Sequence, residues 1–207
     1  MQLWYATTSP FARKVRVAAH ELGLAEGMEL VRVDPWSDER LRALNPLAKV
    51  PTLVLPDGDV LYESGVICDW LDARSGARRL FPADGPSRWR ALRLQGLADG
   101  AMTAAGRLFA DERRSETERS DAMMRRLADA LGAALDGLAD DLTPGVITIG
   151  EISAACLLGY LDFRWPDRDW RSGREVLAQW FLDMEARPSL RATLHHLQGP
   201  NPSGPSS

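Results

Sequence analysis

The sequence has few of the residues from which metal sites and disulfide frameworks are built. Its 207 residues include two cysteines, Cys68 and Cys156, and three histidines. Each cysteine lies in an apolar helical pattern rather than in a Cys-x-x-Cys pair, and the histidines lack cysteine or carboxylate partners at metal-ligand spacing. We therefore expect two reduced, buried thiols and no metal site.

Two further absences concern membranes and nucleic acids. No run of about 18 apolar residues occurs, and the segment Met1 to Tyr5 lacks the basic and apolar regions of a secretory signal. The formal net charge of −4 offers no excess of basic residues for binding phosphates. The sequence therefore predicts a cytoplasmic protein with no nucleic-acid or membrane partner.

Short apolar runs and helical patterns alternate over the first 76 residues. The run at 3–6 predicts a strand. Ser9 and Pro10 suit the N-cap and first position of a helix, because Ser accepts a free backbone N–H and Pro has none to satisfy. Residues 29–33 alternate as a second strand, and residues 37–44 predict a short helix.

A hairpin and a third helix complete this pattern. Residues 52–55 and 60–62 flank the turn sequence Pro-Asp-Gly-Asp, which is typical of an antiparallel hairpin. Ser64 can cap the helix that follows, and Gly76 lies just beyond its end. The order βαβαββα predicts a compact α/β domain, whose bounds we set at residues 1–78.

From Ser87 onward the apolar spacing is helical. Residues 146–148 are the one candidate strand there, and Thr148 with Glu151 forms a capping-box pattern at the start of a further helix. We predict an all-helical domain over residues 86–198. The Pro-, Ser- and Gly-rich tail 199–207 is expected to be disordered.

Three segments of the α/β domain become informative together: 9–13 (Ser-Pro-Phe-Ala-Arg), 48–51 (Ala-Lys-Val-Pro) and 63–64 (Glu-Ser). Each alone is a generic helix start or turn, but their order and spacing resemble the glutathione transferase family, especially bacterial members with a Ser-Pro-Phe start. The patterns at 148–151 and 187–190 extend the resemblance over nearly the whole chain. The resemblance implies a thioredoxin-like domain followed by an all-helical domain.

The resemblance also implies that Ser9 stabilises the thiolate of glutathione, the co-substrate. A hydroxyl at a helix N-terminus can donate to sulfur, while the helix dipole favours negative charge. Thr7 or Thr8 could present the hydroxyl instead, and Ser9 could be only an N-cap. Relatives that exchange disulfides carry Cys at this position, so thiol oxidoreductase chemistry is disfavoured.

Five further residues are implied to bind glutathione. The backbone of Val50, before a cis Pro51, pairs with the cysteinyl unit. Ser64 receives the γ-glutamyl carboxylate at a helix start, and Glu63 its ammonium group. Lys49 resembles a residue that meets the glycyl carboxylate. The usual Gly before this Lys is Ala in this chain, which puts the geometry of the loop in question.

The helical domain is expected to supply the electrophile pocket and a dimer interface. Candidate pocket residues are Phe11, Met102, Arg107 and Phe109. Asp99 lies in a segment that resembles the family's interface helix, from which it would approach the γ-glutamyl group across a homodimer. The alternative is that Asp99 is only a carboxylate on the helix surface.

The function that follows is a transferase that conjugates glutathione to a small hydrophobic electrophile, as in detoxification. Two alternatives stay open: a glutathione-dependent isomerase or dehalogenase, and a non-catalytic protein of this fold that binds partners.

Overall fold

A computed structural model of the protein describes residues 1–76 and 78–197, so the tail expected to be disordered lies outside the described residues. The chain forms two compact units. The first comprises residues 1–80 together with the described residues from 189 onward, and the second comprises residues 81–188.

The first unit has the predicted βαβαββα order, which confirms the α/β prediction. Its sheet runs in the order β2-β1-β3-β4, with β1 parallel to β2 and antiparallel to β3. The elements are β1 Gln2–Tyr5, α1 Pro10–Glu21, β2 Glu29–Arg32, α2 Glu39–Leu44, β3 Thr52–Val54, β4 Val60–Tyr62 and α3 Ser64–Arg74.

The core of the first unit lies between the sheet and helices α1 and α3. Side chains from β1, β3 and both helices are fully buried there because each element presents one apolar face. These side chains include Leu3, Val15, Leu53, Ile67 and Leu71, each 0% exposed.

Helix α2 begins two residues later than expected, because Asp38 is its N-cap. The Asp38 side chain accepts a hydrogen bond from the Arg40 backbone N–H. The Arg40 guanidinium also donates to both carboxylate oxygens of Asp38, at 3.0 and 2.7 Å. These side-chain hydrogen bonds lower the pKa of Asp38 below its ordinary value.

The residues after 188 were expected to continue the helical domain, whereas in the structure they contact the first unit. Thr7 Oγ1 donates to the His196 carbonyl oxygen at 2.8 Å, and the buried Arg13 donates to the Leu190 carbonyl oxygen at 3.2 Å. A buried guanidinium needs such an acceptor. The returning segment therefore supports the loop before α1 and the first turns of that helix.

The second unit is helical, as predicted. Its main helices are α4 Gly85–Asp111, α5 Asp121–Asp141, α6 Ile149–Arg164 and α7 Glu175–Glu185. The short helix α8 Pro188–Arg191 follows, and its residues from 189 onward belong to the first unit. The candidate strand at 146–148 does not form, and the described residues 81–188 contain no strand.

Helix α6 is the centre of this second unit. Its residues from Ile149 to Leu161 are all buried, including the carboxylate of Glu151. The predicted capping box is present: Thr148 caps the helix, and Glu151 accepts from the Thr148 backbone N–H at 2.9 Å. Arg90 on α4 lies 2.8 Å from the other Glu151 oxygen, so the buried charge is neutralised.

Gly150 lies where α6 packs closely on α4. A Cβ atom at this position would lie 2.7 Å from Leu94 Cβ and 2.9 Å from the Ala91 carbonyl oxygen. Gly150→Ala must therefore move the two helices apart, and we expect it to lower the free energy of unfolding by about 1–3 kcal/mol in urea denaturation.

Gly132→Ala is the matched control, because Gly132 lies in α5 with no neighbouring atom within 4 Å of its Cβ position. The added methyl group should raise the free energy of unfolding by up to about 1 kcal/mol through helix propensity. Equal gains for both variants would show that the close approach at Gly150 does not limit packing.

Candidate active site

The pairing of β3 brings the three informative segments to one end of the sheet. Thr52, at the start of β3, pairs with Trp4 on one side and with Tyr62 on the other. Pro51 therefore lies beside the end of β1, which leads to Ser9, and beside the end of β4, which leads to Glu63. Segments more than 50 positions apart in the chain thus meet at one sheet edge.

Ser9 lies at the start of α1 with its hydroxyl available to a ligand. Its side-chain oxygen accepts from the Ala12 N–H at 3.2 Å, and its hydroxyl proton has no acceptor among the described residues. The Phe11 N–H is likewise without a partner within residues 1–76 and 78–197. An anion near Ser9 would meet an O–H donor, an N–H donor and the positive end of a helix dipole.

The two neighbouring threonines differ from Ser9 and from each other. Thr7 is 2% exposed, and its hydroxyl donates to the His196 carbonyl oxygen. Its proton is therefore already used within the protein. Thr8 is half-buried and makes no hydrogen bond through its hydroxyl among the described residues. Ser9 and Thr8 remain as candidate donors to a thiolate.

Val50 offers an unpaired backbone at the edge of this site. The Val50–Pro51 peptide bond is cis, as the resemblance implied. Within the described residues, neither the N–H nor the carbonyl oxygen of Val50 makes a hydrogen bond. A peptide-like ligand lying extended along Val50 could pair with both groups, as an added strand does.

Asn45 orients the loop that precedes Val50, a role that sequence reasoning missed. The buried Asn45 amide donates to the Lys49 carbonyl oxygen at 3.1 Å and to Thr52 Oγ1 at 3.0 Å. Thr52 Oγ1 donates to the same Lys49 carbonyl at 2.8 Å. The Lys49 side chain is exposed, with its backbone held by these bonds.

Glu63 and Ser64 lie at the N-terminus of α3. Glu63 is exposed and has φ 71° and ψ 119°, a region that non-glycine residues rarely occupy. Such strain costs about 1–3 kcal/mol and concentrates at functional sites. Ser64 is 4% exposed, and its hydroxyl makes no hydrogen bond among the described residues. An anion at this helix end would meet backbone N–H groups and the positive end of the helix dipole.

The remaining candidates occupy α1 and α4. Phe11 is half-buried on α1. On α4, Met102 is 1% exposed, which favours a packing role, whereas Arg107 is largely exposed and lies 3.8 Å from Asp111. Phe109 is half-buried and stacks edge-on against Trp165 at 5.7 Å.

Asp99 is half-buried on α4. The described residues contain no group of three or more His, Cys, Asp or Glu placed to hold a metal ion. No helix in the described ranges 1–76 and 78–197 combines the length and apolar character needed to cross a membrane.

Family models match both units of the chain. The model of the glutathione S-transferase N-terminal domain matches residues 8–74, and that of the C-terminal domain matches residues 115–182. The uncharacterized GST-like protein YibF of Escherichia coli strain K12 is 28% identical over 199 residues, which cover 93% of this chain and 98% of YibF.

Two solved structures are similar over almost their whole length. A glutathione transferase family member from Pseudomonas fluorescens Pf-5, with bound glutathione, is 37% identical with a TM-score of 0.89 and covers 95% of this chain and 99% of its own. A glutathione S-transferase from Methylobacterium radiotolerans, in complex with glutathione sulfonate, is 36% identical with a TM-score of 0.88 and covers 96% of each chain.

The first unit is thioredoxin-like, has the Ser9 hydroxyl and a cis-proline at one sheet edge, and is followed by a helical unit, which is the class of fold that glutathione transferases have. The matches specify it further: the chain belongs to the glutathione S-transferase family.

Ala48, in the loop before Val50, has a left-handed backbone conformation although it is not glycine. It adopts φ 49°, where a Cβ atom is disfavoured by roughly 1–2 kcal/mol. This loop therefore keeps the left-handed conformation without the usual glycine. Ala48→Gly should raise the free energy of unfolding by about 1 kcal/mol, measured by urea denaturation.

The reference variant is Ala130→Gly, at an exposed position inside α5. There the same change should lower the free energy of unfolding by about 1 kcal/mol, because glycine is a poor helix former. A loss of similar size at both positions would contradict the left-handed assignment of Ala48.

Proposed function

We propose that this protein conjugates the thiolate of glutathione to a small electrophile, with Ser9 as the catalytic residue. The observation that supports this most directly is the Ser9 hydroxyl, which lies at a helix start and keeps its proton for a ligand. Each unit by which a thiol pKa falls requires about 1.4 kcal/mol. One hydrogen bond to a charged group supplies about 1.5–3 kcal/mol, enough for one or two units.

The other polar groups at this sheet edge match the charges of glutathione. Val50 offers a backbone N–H and C=O for the cysteinyl unit, and the start of α3 offers N–H groups and Ser64 for the γ-glutamyl carboxylate. Glu63 supplies a negative charge for the ammonium group, and Lys49 a positive charge for the glycyl carboxylate. Relatives at 36 and 37% identity hold glutathione sulfonate and glutathione.

The chemistry is a nucleophilic attack by sulfur. A C–S bond forms at the electrophilic carbon, and either a leaving group departs with its bonding pair or the π electrons of an activated double bond move to the neighbouring carbon, which takes a proton from solvent. Phe11 of α1, and Phe109 and Arg107 of α4, stay candidates for contact with the electrophile, whereas the burial of Met102 favours packing.

Conjugation is favoured over thiol–disulfide exchange. A serine hydroxyl at position 9 cannot form the mixed disulfide that such exchange requires. Cys68 lies inside α3 and is 0% exposed, so its sulfur is shielded from a substrate.

We also propose that the protein is a cytoplasmic homodimer with a role in detoxification. Both cysteines are buried thiols rather than disulfide partners, as is usual in a reducing compartment. Exposed apolar side chains on the first unit, including Val66 and Tyr62, are available for association. In the dimer, Asp99 would approach the γ-glutamyl group of the other protomer. Sedimentation equilibrium would test the assembly.

Ser9→Ala should lower kcat/KM for glutathione conjugation by roughly 10- to 150-fold, the equivalent of one charge-assisted hydrogen bond. The pKa of the bound glutathione thiol should rise toward that of free glutathione, because the thiolate loses its donor. The ultraviolet absorbance of the thiolate, titrated with pH in the binary complex, measures this pKa. Unchanged turnover would remove Ser9 from catalysis, and Thr8→Val would then test the other candidate.

Ser9→Ala also removes an N-cap, so it needs a control for helix stability. Ser120 caps α5 in the same way, accepting from the Met123 N–H at 3.3 Å. Ser120→Ala should cost a similar amount of stability, about 1 kcal/mol, and leave the thiol pKa unchanged.

Ser64→Ala should weaken glutathione binding about tenfold in calorimetry, because a carboxylate loses one charge-assisted hydrogen bond. Stability should change little, since the hydroxyl has no partner in the described protein. Ser87→Ala, near the exposed start of α4, serves as the control. Undiminished affinity in the Ser64 variant would exclude this residue from the carboxylate site.

A further inference from the structure

An apolar cavity lies between the end of α5, the segment that follows this helix, and α7, wholly within the second unit. Its volume is about 390 Å³, within the range of roughly 300–1,000 Å³ that is typical of small-molecule sites. The buried side chains of Leu177 and Trp180 line it, together with the half-buried Leu142 and the exposed Val176. We call it the α5–α7 cavity. None of its described lining residues is among the candidate active-site residues.

Trp180 is buried but makes few polar contacts with the rest of the protein. Trp170, which is equally buried at 7% exposed, has the Arg171 guanidinium 4.4 Å from its ring centre and donates its indole N–H to Asp162 at 2.8 Å. Among the described residues, no cationic side chain lies over the Trp180 ring, and its indole N–H makes no hydrogen bond. A buried indole N–H usually has a partner. The ring and the N–H of Trp180 are therefore left to a molecule in the cavity.

Two carboxylates of α7, Glu175 and Asp183, also line the cavity. Both are exposed, and in the part of the chain that the structure describes neither forms an ion pair. Arg174, directly before α7, is paired with Asp136 at 2.6 Å. Exposed carboxylates alone are ordinary solvated groups, but beside an apolar cavity they make its potential negative. An apolar molecule with a positive charge therefore complements this cavity in both respects.

We propose that the α5–α7 cavity binds a small organic amine in its protonated form. The apolar body of the amine packs against Leu177 and Trp180. The ammonium group contacts the Trp180 ring by cation–π attraction, for which tryptophan is the best aromatic side chain, and lies close to Glu175 and Asp183. A molecule of the same shape without charge binds more weakly, and an anion binds most weakly. This binding site does not depend on the conjugation proposed above.

Three probes with one apolar body test the charge alone. At pH 7, 4-phenylbutylamine is a cation, 4-phenylbutan-1-ol is neutral and 4-phenylbutanoate is an anion. The indole N–H signals of the seven tryptophans, followed by nitrogen-15 NMR, report where each probe binds. Trp180→Phe identifies the Trp180 signal by its loss. Calorimetry gives the Kd of each probe for the wild type and the variants.

We expect the wild type to bind the amine about tenfold more tightly than the alcohol, and the butanoate more weakly than either. The amine should shift the Trp180 indole signal in a saturable way. Asp183→Asn should reduce the preference for the amine to about threefold and leave the Kd of the alcohol unchanged. Trp180→Phe should also reduce the preference, because phenylalanine attracts cations less strongly than tryptophan.

Asp167→Asn is the matched control. Asp167 is an exposed carboxylate between α6 and α7 that forms no ion pair among the described residues and does not line the cavity. Its replacement removes the same charge from the protein and should keep the full tenfold preference. Because Asp183→Asn changes only an exposed side chain, the charge test holds even where Trp180→Phe does not fold.

Four outcomes would overturn the amine site: equal Kd values for amine and alcohol, tightest binding of the butanoate, equal losses in Asp167→Asn and Asp183→Asn, or saturable shifts confined to indole signals other than that of Trp180. None of these measurements uses glutathione. Ser9→Ala should leave the Kd of the amine unchanged, so this inference and the proposed function can fail separately.

Discussion

Backbone pairing of β3 between β1 and β4 is the constraint on which the candidate site depends. Thr52 pairs with Trp4 and Tyr62 at once, so the loop after β1, the cis-proline before β3 and the start of α3 end at one sheet edge. A register shift of one residue would turn the side chains of β3 to the opposite face and displace Pro51 from its neighbours. The Thr52 hydroxyl also donates to the Lys49 carbonyl oxygen. The register of β3 therefore also fixes the conformation of the loop that contains Lys49.

A second set of contacts keeps the first turn of α1 in position. Thr7 donates to the His196 carbonyl oxygen, after α8, and Arg13 donates to the Leu190 carbonyl oxygen, within α8. The Thr7 hydroxyl proton is therefore used within the protein, whereas the Ser9 hydroxyl proton has no acceptor among the described residues. Thr7 and Ser9 therefore differ because only Thr7 has a hydrogen-bond acceptor for its hydroxyl proton among the described residues.

In the helical unit, close helix packing and cation–π stacking occur at the two ends of α6. Near its start, α6 approaches α4 at Gly150, and the buried Glu151 is matched by Arg90 and the Thr148 cap. Near its end, Arg164 lies over the rings of Phe109, Tyr160 and Phe163. Such cation–π contacts stabilise the position of the guanidinium.

The sequence by itself determined the element order of the first unit and the helix starts at Pro10 and Ile149, because caps, turn residues and apolar periodicity are local signals. The candidate residues at 9, 50–51 and 63–64 were identified by their resemblance to the glutathione transferase family. Only the tertiary structure decided which hydroxyl keeps its proton, that Asn45 holds the Lys49 loop, and that Arg113 and Arg164 share one ring. Those facts depend on contacts between residues distant in the chain, or on a hydrogen-bond partner supplied by another segment, and no local pattern specifies such partners.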